Sequence, residues 1–330
     1  MNPEWNDFLQ GYKIEHNHEF GNNTLCDLTD FDLITCDGND ADTFLQGQLT
    51  NDIKEVTENQ AQLSAYCSQK GRMYAVFLIL KASNTLQLFC PADISDGIIK
   101  RLKMYIMRSK VSLFKNEDLI QFGLYGDNAT AQLQKFNSTL PSENYQSVSD
   151  NGLTIVKLPG NGNGSRYQLI ADLNTAKSVW KKLASECHIS TSDAWRLQQI
   201  HAGIPTIFSP TSEAFIPQMA NLHQMNAVNF KKGCYVGQEI VARTQYLGKT
   251  KRHMITASCP GNTLSIKPGD LLYNSANNEQ KAGKIVDAKT DGENIFLLAV
   301  TEIKYSEFFI EVDHDFIKLV LLNIPAESTE

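Results

Sequence analysis

Short apolar runs separated by polar turns dominate the first third of the chain. Residues 31–36 (FDLITC), 75–80 (AVFLIL) and 86–90 (LQLFC) predict three strands. A short helix is predicted to carry Phe44, Leu45, Gln48 and Leu49 on adjoining turns, and residues 93–107 predict a longer amphipathic helix. This region is therefore predicted to mix strands and helices.

From residue 119 the predicted elements follow the order strand, helix, strand, strand, helix. The strands are expected at residues 119–125, 153–158 and 166–171, and the helices at about residues 128–136 and 174–187. This order resembles the split β-α-β arrangement of a ferredoxin-like unit. We therefore expect a ferredoxin-like unit in the middle of the chain.

Helical periodicity appears again in residues 192–201, where Ser192 is the expected N-cap. After Lys251 the chain contains short strand-like runs separated by Gly and Asn turns, such as residues 285–288, 296–300 and 316–322. Such a series of short strands predicts a small C-terminal β-barrel. The predicted fold class is α+β.

Composition and charge narrow the class of protein. The chain has 330 residues, of which 42% are hydrophobic and 20% charged, and its formal net charge is -7. Proteins held to nucleic acid by phosphate contacts usually carry a basic excess, so the overall sign does not favour that class. Residues 249–252 (KTKR) are the best local basic run, and a solvated strand entry is favoured there over a nucleic-acid contact.

The cysteines and the N-terminus bear on the compartment. The seven cysteines form an odd set without a Cys-x-x-Cys pair, a pattern that favours reduced thiols over a disulfide framework. No basic segment followed by an apolar stretch opens the chain, and no apolar run approaches the ~20 residues that cross a bilayer. We expect a soluble cytoplasmic protein.

The densest cluster of chemically capable residues is the segment 230–239 (FKKGCYVGQE). Lys232 would stabilise a thiolate on Cys234 by charge, and a helix opening at Gln238 and Glu239 would place a positive helix end beside it. The alternative is a small buried cysteine in a tight turn. The residues alone leave both interpretations open.

Other sites are less well specified. A Cys–His pair needs a histidine within hydrogen-bond reach of the thiol, but the sequence does not choose among His201, His223 and His253. His16 and His18 lie in a polar N-terminal segment, and Cys187 and His188 are adjacent rather than spaced as ligands. We predict no metal site.

Two aromatic residues have two possible roles. Phe31 opens the first predicted strand and Trp195 lies in a predicted helix, so core packing is the default for both. A flat heteroaromatic ligand would also be held well by aromatic faces and a few polar groups. The sequence alone does not separate these roles.

The cysteine motif and several shorter segments resemble the YgfZ family of folate-binding proteins, relatives of the glycine-cleavage T-protein (aminomethyltransferase). The longest matching segment is residues 232–243 (KGCYVGQEIVAR). The shorter segments occur in the expected order and are residues 44–52 (FLQGQLTND), 70–72 (KGR), 108–111 (RSKV), 202–205 (AGIP), 215–218 (FIPQ) and 246–249 (YLGK). The resemblance runs from about Leu28 to the C-terminus.

This resemblance implies a three-domain aminomethyltransferase-like fold, with tetrahydrofolate or a one-carbon derivative bound at a central opening. The expected divisions are a first folate-binding-fold domain at residues 1–117 and a ferredoxin-like domain at 118–190. Residues 191–250 would complete the folate site and carry the cysteine motif, and residues 251–330 would form the C-terminal β-barrel.

The resemblance also implies roles for particular residues. Cys234 matches the family's functional cysteine, and Lys232 and Arg108 are the expected supporting charges. The residues expected to contact folate are Phe31, Trp195, Tyr235, Gln238 and Glu239. Phe31 stands where relatives commonly have tryptophan, so it keeps the ring face and loses an N–H donor.

The implied function is folate-dependent support of the assembly or repair of iron–sulfur enzymes, including those that modify tRNA, with tRNA itself involved indirectly. The alternative is a folate-dependent one-carbon transferase acting on an unknown acceptor. Glycine-cleavage enzymes carry an acidic pair after a glycine pair, whereas residues 70–75 (KGRMYA) contain no carboxylate. Acid–base catalysis needs a titratable group in reach, so glycine-cleavage activity is not expected.

Overall fold

A computed structural model of the chain describes residues 2–14, 23–82, 84–160, 164–248, 250–261, 266–274, 280–312 and 315–323. The chain forms two compact units. The first consists of Met1–Gln46, Asp52–Leu63 and Phe77–Gln198, and the second of Gly47–Asn51, Ser64–Val76 and Gln199–Glu330. The four-part division expected from the family resemblance stays a prediction.

The described residues contain strands, α-helices and short 3-10 helices. The strands are β1 (Thr24–Asp27), β2 (Phe31–Asp37), β3 (Gln62–Cys67), β4 (Met73–Ala82), β5 (Thr85–Pro91), β6 (Ser112–Lys115), β7 (Leu119–Gly126), β8 (Ser147–Asp150), β9 (Leu153–Leu158), β10 (Ser165–Asp172), β11 (His188–Ser190), β12 (Arg252–Pro260), β13 (Leu271–Tyr273), β14 (Lys281–Thr290), β15 (Asn294–Glu302), β16 (Phe309–Val312), β17 (Asp315–Lys318) and β18 (Val320–Asn323). The α-helices are α1 (Pro3–Leu9), α2 (Ala41–Gln46), α3 (Ala92–Lys103), α4 (Ala129–Gln134), α5 (Leu173–Ala184), α6 (Ser192–His201) and α7 (Gln238–Leu247). The 3-10 helices are Ile53–Glu55, Ser209–Thr211 and Pro217–Ala220.

A six-stranded sheet in the first unit contains the predicted ferredoxin-like element. Its strand order is β11-β1-β7-β10-β9-β8. Strands β7, β9, β10 and β11, together with helices α4 and α5, follow the split β-α-β order. The N-terminal strand β1 lies between β7 and β11, antiparallel to the former and parallel to the latter.

The two faces of this sheet differ in chemistry because side chains alternate along each strand. One face supplies Phe122, Leu124 and Leu169 to an apolar core, which also contains Trp5 of α1 and Trp180 of α5. The Trp5 and Trp180 rings meet edge to face at a centroid distance of 5.3 Å. The opposite face is also buried but carries polar side chains, among them those of Gln121, Arg166 and Gln168.

A five-stranded sheet has the order β3-β4-β5-β2-β6. Helix α3 packs against β2, β5 and β6 through Ile94, Ile98, Ile99 and Leu102, the apolar side that its sequence predicts. The helix ends at Lys103, earlier than the predicted residue 107. The amides of Met104 and Tyr105 bond to carbonyls three residues back, so the last turn tightens and the helix stops.

A seven-stranded sheet of the second unit has the order β17-β16-β13-β14-β15-β12-β18. It is antiparallel and curls into a half-barrel around an apolar core that includes Ile285, Leu297 and Phe308. This sheet corresponds to the predicted C-terminal barrel. The predicted strand at residues 316–322 is two strands, β17 and β18, which flank the buried Leu319.

Several helix boundaries differ from the sequence prediction. Helix α2 ends at Gln46, so Gln48 and Leu49 lie beyond it rather than on its turns. Ser192 is the first residue of α6 instead of its N-cap: its hydroxyl donates to Asp30 Oδ2 at 2.6 Å. The preceding Thr191 Oγ1 accepts from Asp193 N at 3.3 Å and takes the capping position.

Candidate functional site

Cys234 lies in an exposed loop of the second unit, four residues before helix α7. The helix opens at Gln238, as the sequence predicts, and Gly237 is its N-cap in the left-handed conformation with φ of 84°. The Cys234 side chain is exposed. The alternative of a buried structural cysteine in a tight turn is therefore wrong.

The loop that carries Cys234 begins with a turn built on Asn229. Its side-chain oxygen accepts hydrogen bonds from the backbone amides of Lys231 and Lys232 at 2.8 and 3.0 Å. An asparagine that bonds the backbone two and three residues ahead holds the chain in a defined turn. The hydrogen bonds of Asn229 thus set the direction in which residues 230–234 leave the turn.

The Lys232 side chain is buried, at 8% exposure, and extends to the segment Gly47–Asn51. Its ammonium group donates to the carbonyl oxygens of Leu49 at 2.7 Å and Asn51 at 2.8 Å. It also lies 5.2 Å from the centroid of the Tyr235 ring, within the range of a cation–π contact. These contacts tie the cysteine loop to the segment 47–51.

Further hydrogen bonds join the same two segments. The Asn51 side-chain amide donates to Asn226 O at 2.7 Å, and the Thr50 hydroxyl donates to Ala227 O at 2.8 Å. The amide of Val236 donates to Gly47 O at 3.3 Å, close behind Cys234. Residues of the early motif 44–52 therefore help to hold the cysteine loop in position through these hydrogen bonds.

Two glycines allow a second close approach to the cysteine loop. A Cβ at Gly237 would lie 2.4 Å from the carbonyl oxygen of Ser68, closer than atoms can pack. Gly71 has φ of 66°, and a Cβ there would lie 2.9 Å from Ile240 Cβ. Only glycine combines the positive φ with this lack of space, so the turn at residues 68–72 packs directly on the start of α7.

The motif at residues 215–218 belongs to the same cluster. Met73 N donates to Phe215 O at 2.8 Å, and the Gln218 side chain donates to Val241 O of α7 at 2.7 Å. Arg72 donates to Ala214 O at 2.7 Å. Three segments that are separate in the sequence, residues 47–51, 68–73 and 214–218, thus meet around the cysteine loop and the start of α7 within the second unit.

Tyr235, Gln238 and Glu239, the residues of the motif predicted to contact folate, have different environments. Tyr235 is buried, and burial, with a smaller contribution from Cys67, raises the pKa of its hydroxyl. Gln238 is half-buried, and Glu239 is exposed in the first turn of α7, where its charge favours the helix end.

Exposure distinguishes Cys234 from the other six cysteines of the chain. Cys26, Cys36, Cys67, Cys90 and Cys259 are buried, and Cys187 is half-buried. Burial raises the pKa of these six thiols, to about 12 for Cys36 and to about 11 for Cys187. The reactive form of cysteine is the thiolate, so these six thiols are protected.

Three predicted site residues lie in the first unit. Phe31 opens β2, is half-buried, and lines a small cavity of about 40 Å³ together with Lys115 and Gln121. Trp195 in α6 is only 2% exposed. Arg108 is exposed in the turn between α3 and β6. Their roles toward a ligand stay predictions.

Sequence reasoning missed the polar face on which Trp195 lies. Arg166 is 2% exposed, and its guanidinium carbon lies 5.0 Å from the centroid of the Trp195 ring. A Cβ at Gly123 would lie 2.4 Å from Trp195 Cε3, so the indole occupies the space above this glycine. Alternation along β10 places Arg166 and Gln168 on the same face of the sheet. This pattern is visible in the sequence, but it does not show that the face is buried.

The three histidines considered as partners of Cys234, namely His201, His223 and His253, are all half-buried. Burial lowers the pKa of His201 and of His223, which keeps both rings neutral near pH 7. His16 and His18 lie outside the described residues, as does Lys249. In the part of the chain that the structure covers, no three His, Cys, Asp or Glu side chains are grouped as metal ligands.

None of the helices in the described ranges combines the length and apolar composition that a membrane span requires.

Comparison with solved structures establishes the fold. The crystal structure of glycine cleavage system aminomethyltransferase T from Bartonella henselae superimposes with a TM-score of 0.75 at 17% sequence identity. The match covers 93% of this chain and 87% of that one. The predicted aminomethyltransferase-like fold, with its ferredoxin-like middle part and C-terminal β-sheet, is therefore confirmed.

Comparison of sequences establishes the family. The GCVT N-terminal domain family matches residues 3–154. The tRNA-modifying protein YgfZ of Cronobacter sakazakii is 33% identical over 267 residues, which cover 80% of each chain. The protein of the same name from Klebsiella pneumoniae is 32% identical over 265 residues, again 80% of each chain. The chain belongs to the YgfZ family.

Proposed function

We propose that this protein binds tetrahydrofolate or a one-carbon derivative of it and supports the assembly or repair of iron–sulfur enzymes, including those that modify tRNA. Membership of the YgfZ family and the match to the GCVT N-terminal domain support the folate-related role. The shared fold with an aminomethyltransferase is consistent with it.

The observation that carries the proposal is the exposed thiol of Cys234 on a tightly held loop. The loop is fixed by the buried Lys232, by the Asn229 turn and by the glycine contact at residue 237. A thiol presented in this way can meet a macromolecular partner without prior rearrangement, because its position is already determined. We therefore assign Cys234 to redox or sulfur chemistry on a protein partner.

The folate site in this proposal includes Phe31 and Trp195 as aromatic contacts and Tyr235, Gln238 and Glu239 as further contacts. Arg108 stays the exposed supporting charge. Lys232 acts in the proposal mainly by positioning the loop of Cys234, since its ammonium group already donates to two carbonyls.

The relatives are named tRNA-modifying proteins, and we extend this involvement to the present chain in an indirect form. A net charge of -7 provides no basic excess for phosphate contacts. An iron–sulfur enzyme that modifies tRNA is then the partner, and the cytoplasm is the proposed location.

Anaerobic titration with tetrahydrofolate tests the folate part of the proposal. The three tryptophans Trp5, Trp180 and Trp195 are all buried, but Trp5 and Trp180 pack in the apolar core on the other face of the sheet. We expect saturable quenching of tryptophan fluorescence that is lost in Trp195→Phe and kept in Trp180→Phe. Calorimetry on the wild-type protein should give the same dissociation constant. Absence of binding to every reduced folate by both methods would refute the proposal.

The Cys234→Ser variant tests the thiol part separately. In cells that lack the wild-type protein, this variant should fail to restore the activity of iron–sulfur enzymes while it binds folate normally. Cys187→Ser, which changes a half-buried thiol, is the matched control and should restore activity. Full restoration by Cys234→Ser would remove the thiol from the proposed function.

A further inference from the structure

Arg166 of the first unit carries a buried charge, and two of its three guanidinium nitrogens are unsatisfied by the described part of the chain. The residue is 2% exposed, and its Nε and Nη1 atoms have no hydrogen-bond partner among the described residues. Buried ions are normally paired, because the loss of hydration costs several kcal/mol for each ion. An arginine in this position is therefore an exception that calls for an explanation.

The nearest ionisable groups do not supply the missing negative charge. Burial raises the pKa of Tyr145 to about 12 and the pKa of Cys26 well above its ordinary value, so both are neutral near pH 7. Burial also lowers the pKa of Arg166 to about 10, which leaves the guanidinium protonated at that pH. The positive charge stays in place without a described anion beside it.

Arg166 contacts Trp195, and two glutamines on the same buried face lead from its neighbourhood to Phe31, the other aromatic residue of the proposed folate site. Its guanidinium carbon lies 5.0 Å from the centroid of the Trp195 ring. Two residues along β10, the Gln168 amide donates to Gln121 Oε1 at 3.0 Å. The Gln121 amide in turn donates to Phe31 O at 2.6 Å. Arg166, Trp195 and the carbonyl of Phe31 thus lie along one buried polar face of the sheet.

We propose that Arg166 recognises an oxygen acceptor of the bound folate, while Trp195 supports the guanidinium from one side. This inference rests on the proposed function. Arginine presents planar N–H donors that suit carboxylate and carbonyl oxygens. A reduced folate offers such oxygens in two parts: its pterin ring has a carbonyl, and its p-aminobenzoylglutamate part has an amide carbonyl and two carboxylates. Ligand binding would then satisfy the donors that the protein leaves unpaired.

The Arg166→Met variant gives opposite results for a recognition role and for a structural role. Replacing an unpaired buried charge by an apolar side chain of similar length removes a desolvation cost, so the ligand-free variant should melt at a higher temperature. The same variant should bind tetrahydrofolate at least tenfold more weakly, equivalent to about 1.4 kcal/mol. A structural arginine would instead give a lower melting temperature.

Arg196→Met is the matched control. Arg196 lies in the same helix as Trp195, and its guanidinium is 3.7 Å from the Asp193 carboxylate. This variant should keep the wild-type affinity for tetrahydrofolate. If both variants lost affinity for tetrahydrofolate equally, replacing any arginine near α6 would disturb binding. That result would overturn the specific role of Arg166.

Calorimetry with two fragments of the ligand distinguishes the two sources of oxygen. A tetrahydropterin carries the ring carbonyl, and p-aminobenzoylglutamate carries the amide carbonyl and the two carboxylates. The fragment whose affinity falls in Arg166→Met, but not in Arg196→Met, contains the recognised oxygen.

The possible outcomes separate this inference from the proposed function. If wild-type protein binds tetrahydrofolate and Arg166→Met binds it within twofold, or if Arg166→Met does not fold, the inference is wrong and the proposed function stands. If wild-type protein binds no reduced folate, both fail.

Discussion

At the scale of single residues, Lys232 combines a charge with a buried position. Its ammonium group donates to Leu49 O and Asn51 O, both in the segment that holds the cysteine loop. The neighbouring Lys231 is exposed. The sequence identified Lys232 as a charge near Cys234, but hydrogen bonds to a segment about 180 residues earlier could not be predicted from neighbours in the chain.

We expect Lys232→Met to lower the free energy of unfolding by about 2 kcal/mol, because two buried carbonyls lose a charged donor. Urea denaturation followed by far-ultraviolet circular dichroism measures this change. Lys231→Met is the control and should change stability by less than about 0.5 kcal/mol, as exposed substitutions usually do. Equal small effects of the two substitutions would show that Lys232 has no positioning role.

The environments of the seven cysteines predict their rates of modification. In native protein, one thiol per chain should react rapidly with a disulfide reagent such as dithionitrobenzoate, because only Cys234 is exposed. The other six should react at the rate of unfolding or local opening, with Cys187 the fastest of them. Cys234→Ser should abolish the rapid phase, and its persistence in that variant would contradict the exposure of this loop.

The burial of Arg166 could not be predicted from the sequence, although the face of the sheet on which it lies could. Alternation along β10 places Tyr167, Leu169 and Ala171 toward the apolar core, and it therefore assigns Arg166 to the opposite face. A charged residue on that face is normally solvated, so no sequence rule predicts its 2% exposure. The cysteine motif, in contrast, was identifiable because its residues are consecutive.

At the scale of elements, the start of helix α7 depends on two glycines with different constraints. Gly237 has φ of 84°, and a Cβ there would lie 2.4 Å from Ser68 O. Four residues earlier, a Cβ added at Gly233 would meet no atom of the described residues within 4 Å. Both glycines belong to the same motif. The structure shows that the backbone requires glycine at position 237, whereas position 233 has space for a larger residue.

Gly237→Ala should therefore destabilise the protein by about 2–4 kcal/mol, through the cost of left-handed backbone for an L-residue and the clash with Ser68. Gly233→Ala should be close to neutral in the same urea titration. The cysteine loop packs on this helix start, so Gly237→Ala should also change the rate at which Cys234 is modified. A neutral Gly237→Ala would mean that the turn at residues 68–72 adjusts freely.

Helices were predicted better in position than in extent. The apolar side of α3 followed the predicted 3.6-residue spacing, yet the helix ends four residues early, in a segment where Met104 and Met107 are exposed. Exposed apolar residues continue the helical pattern without being part of the core. Periodicity therefore extends a predicted helix beyond the point at which packing supports it.

At the scale of the whole molecule, the fold class could be predicted because each sheet has its own sequence pattern. The strand–helix order predicted the ferredoxin-like part, and evenly spaced short strands predicted the C-terminal sheet. The insertion of β1 between β7 and β11 could not be predicted, since it pairs residues about 100 and 160 positions apart. Such pairing leaves no periodic trace in the sequence.

The stability of the whole molecule should depend on pH through two partly buried histidines. Burial lowers the pKa of His201 and His223 in the folded protein below the ordinary value near 6.5. The unfolded chain then binds more protons than the folded protein as the pH falls below about 6.5. Stability from these groups is fully present above that pH and is lost as the pH falls from it toward the lower folded values.

We therefore expect the urea midpoint of unfolding to fall between pH 7.5 and pH 5.5, and to fall less in the double variant His201→Gln/His223→Gln. Comparing pH slopes, rather than midpoints at one pH, removes any loss of packing that the substitutions cause, such as the contact of His201 with Phe296. The slope of the double variant is compared with the wild-type slope over the same pH range. If the double variant keeps the wild-type slope, these two histidines titrate alike in the folded and unfolded states, and carboxyl groups are responsible for any acid instability.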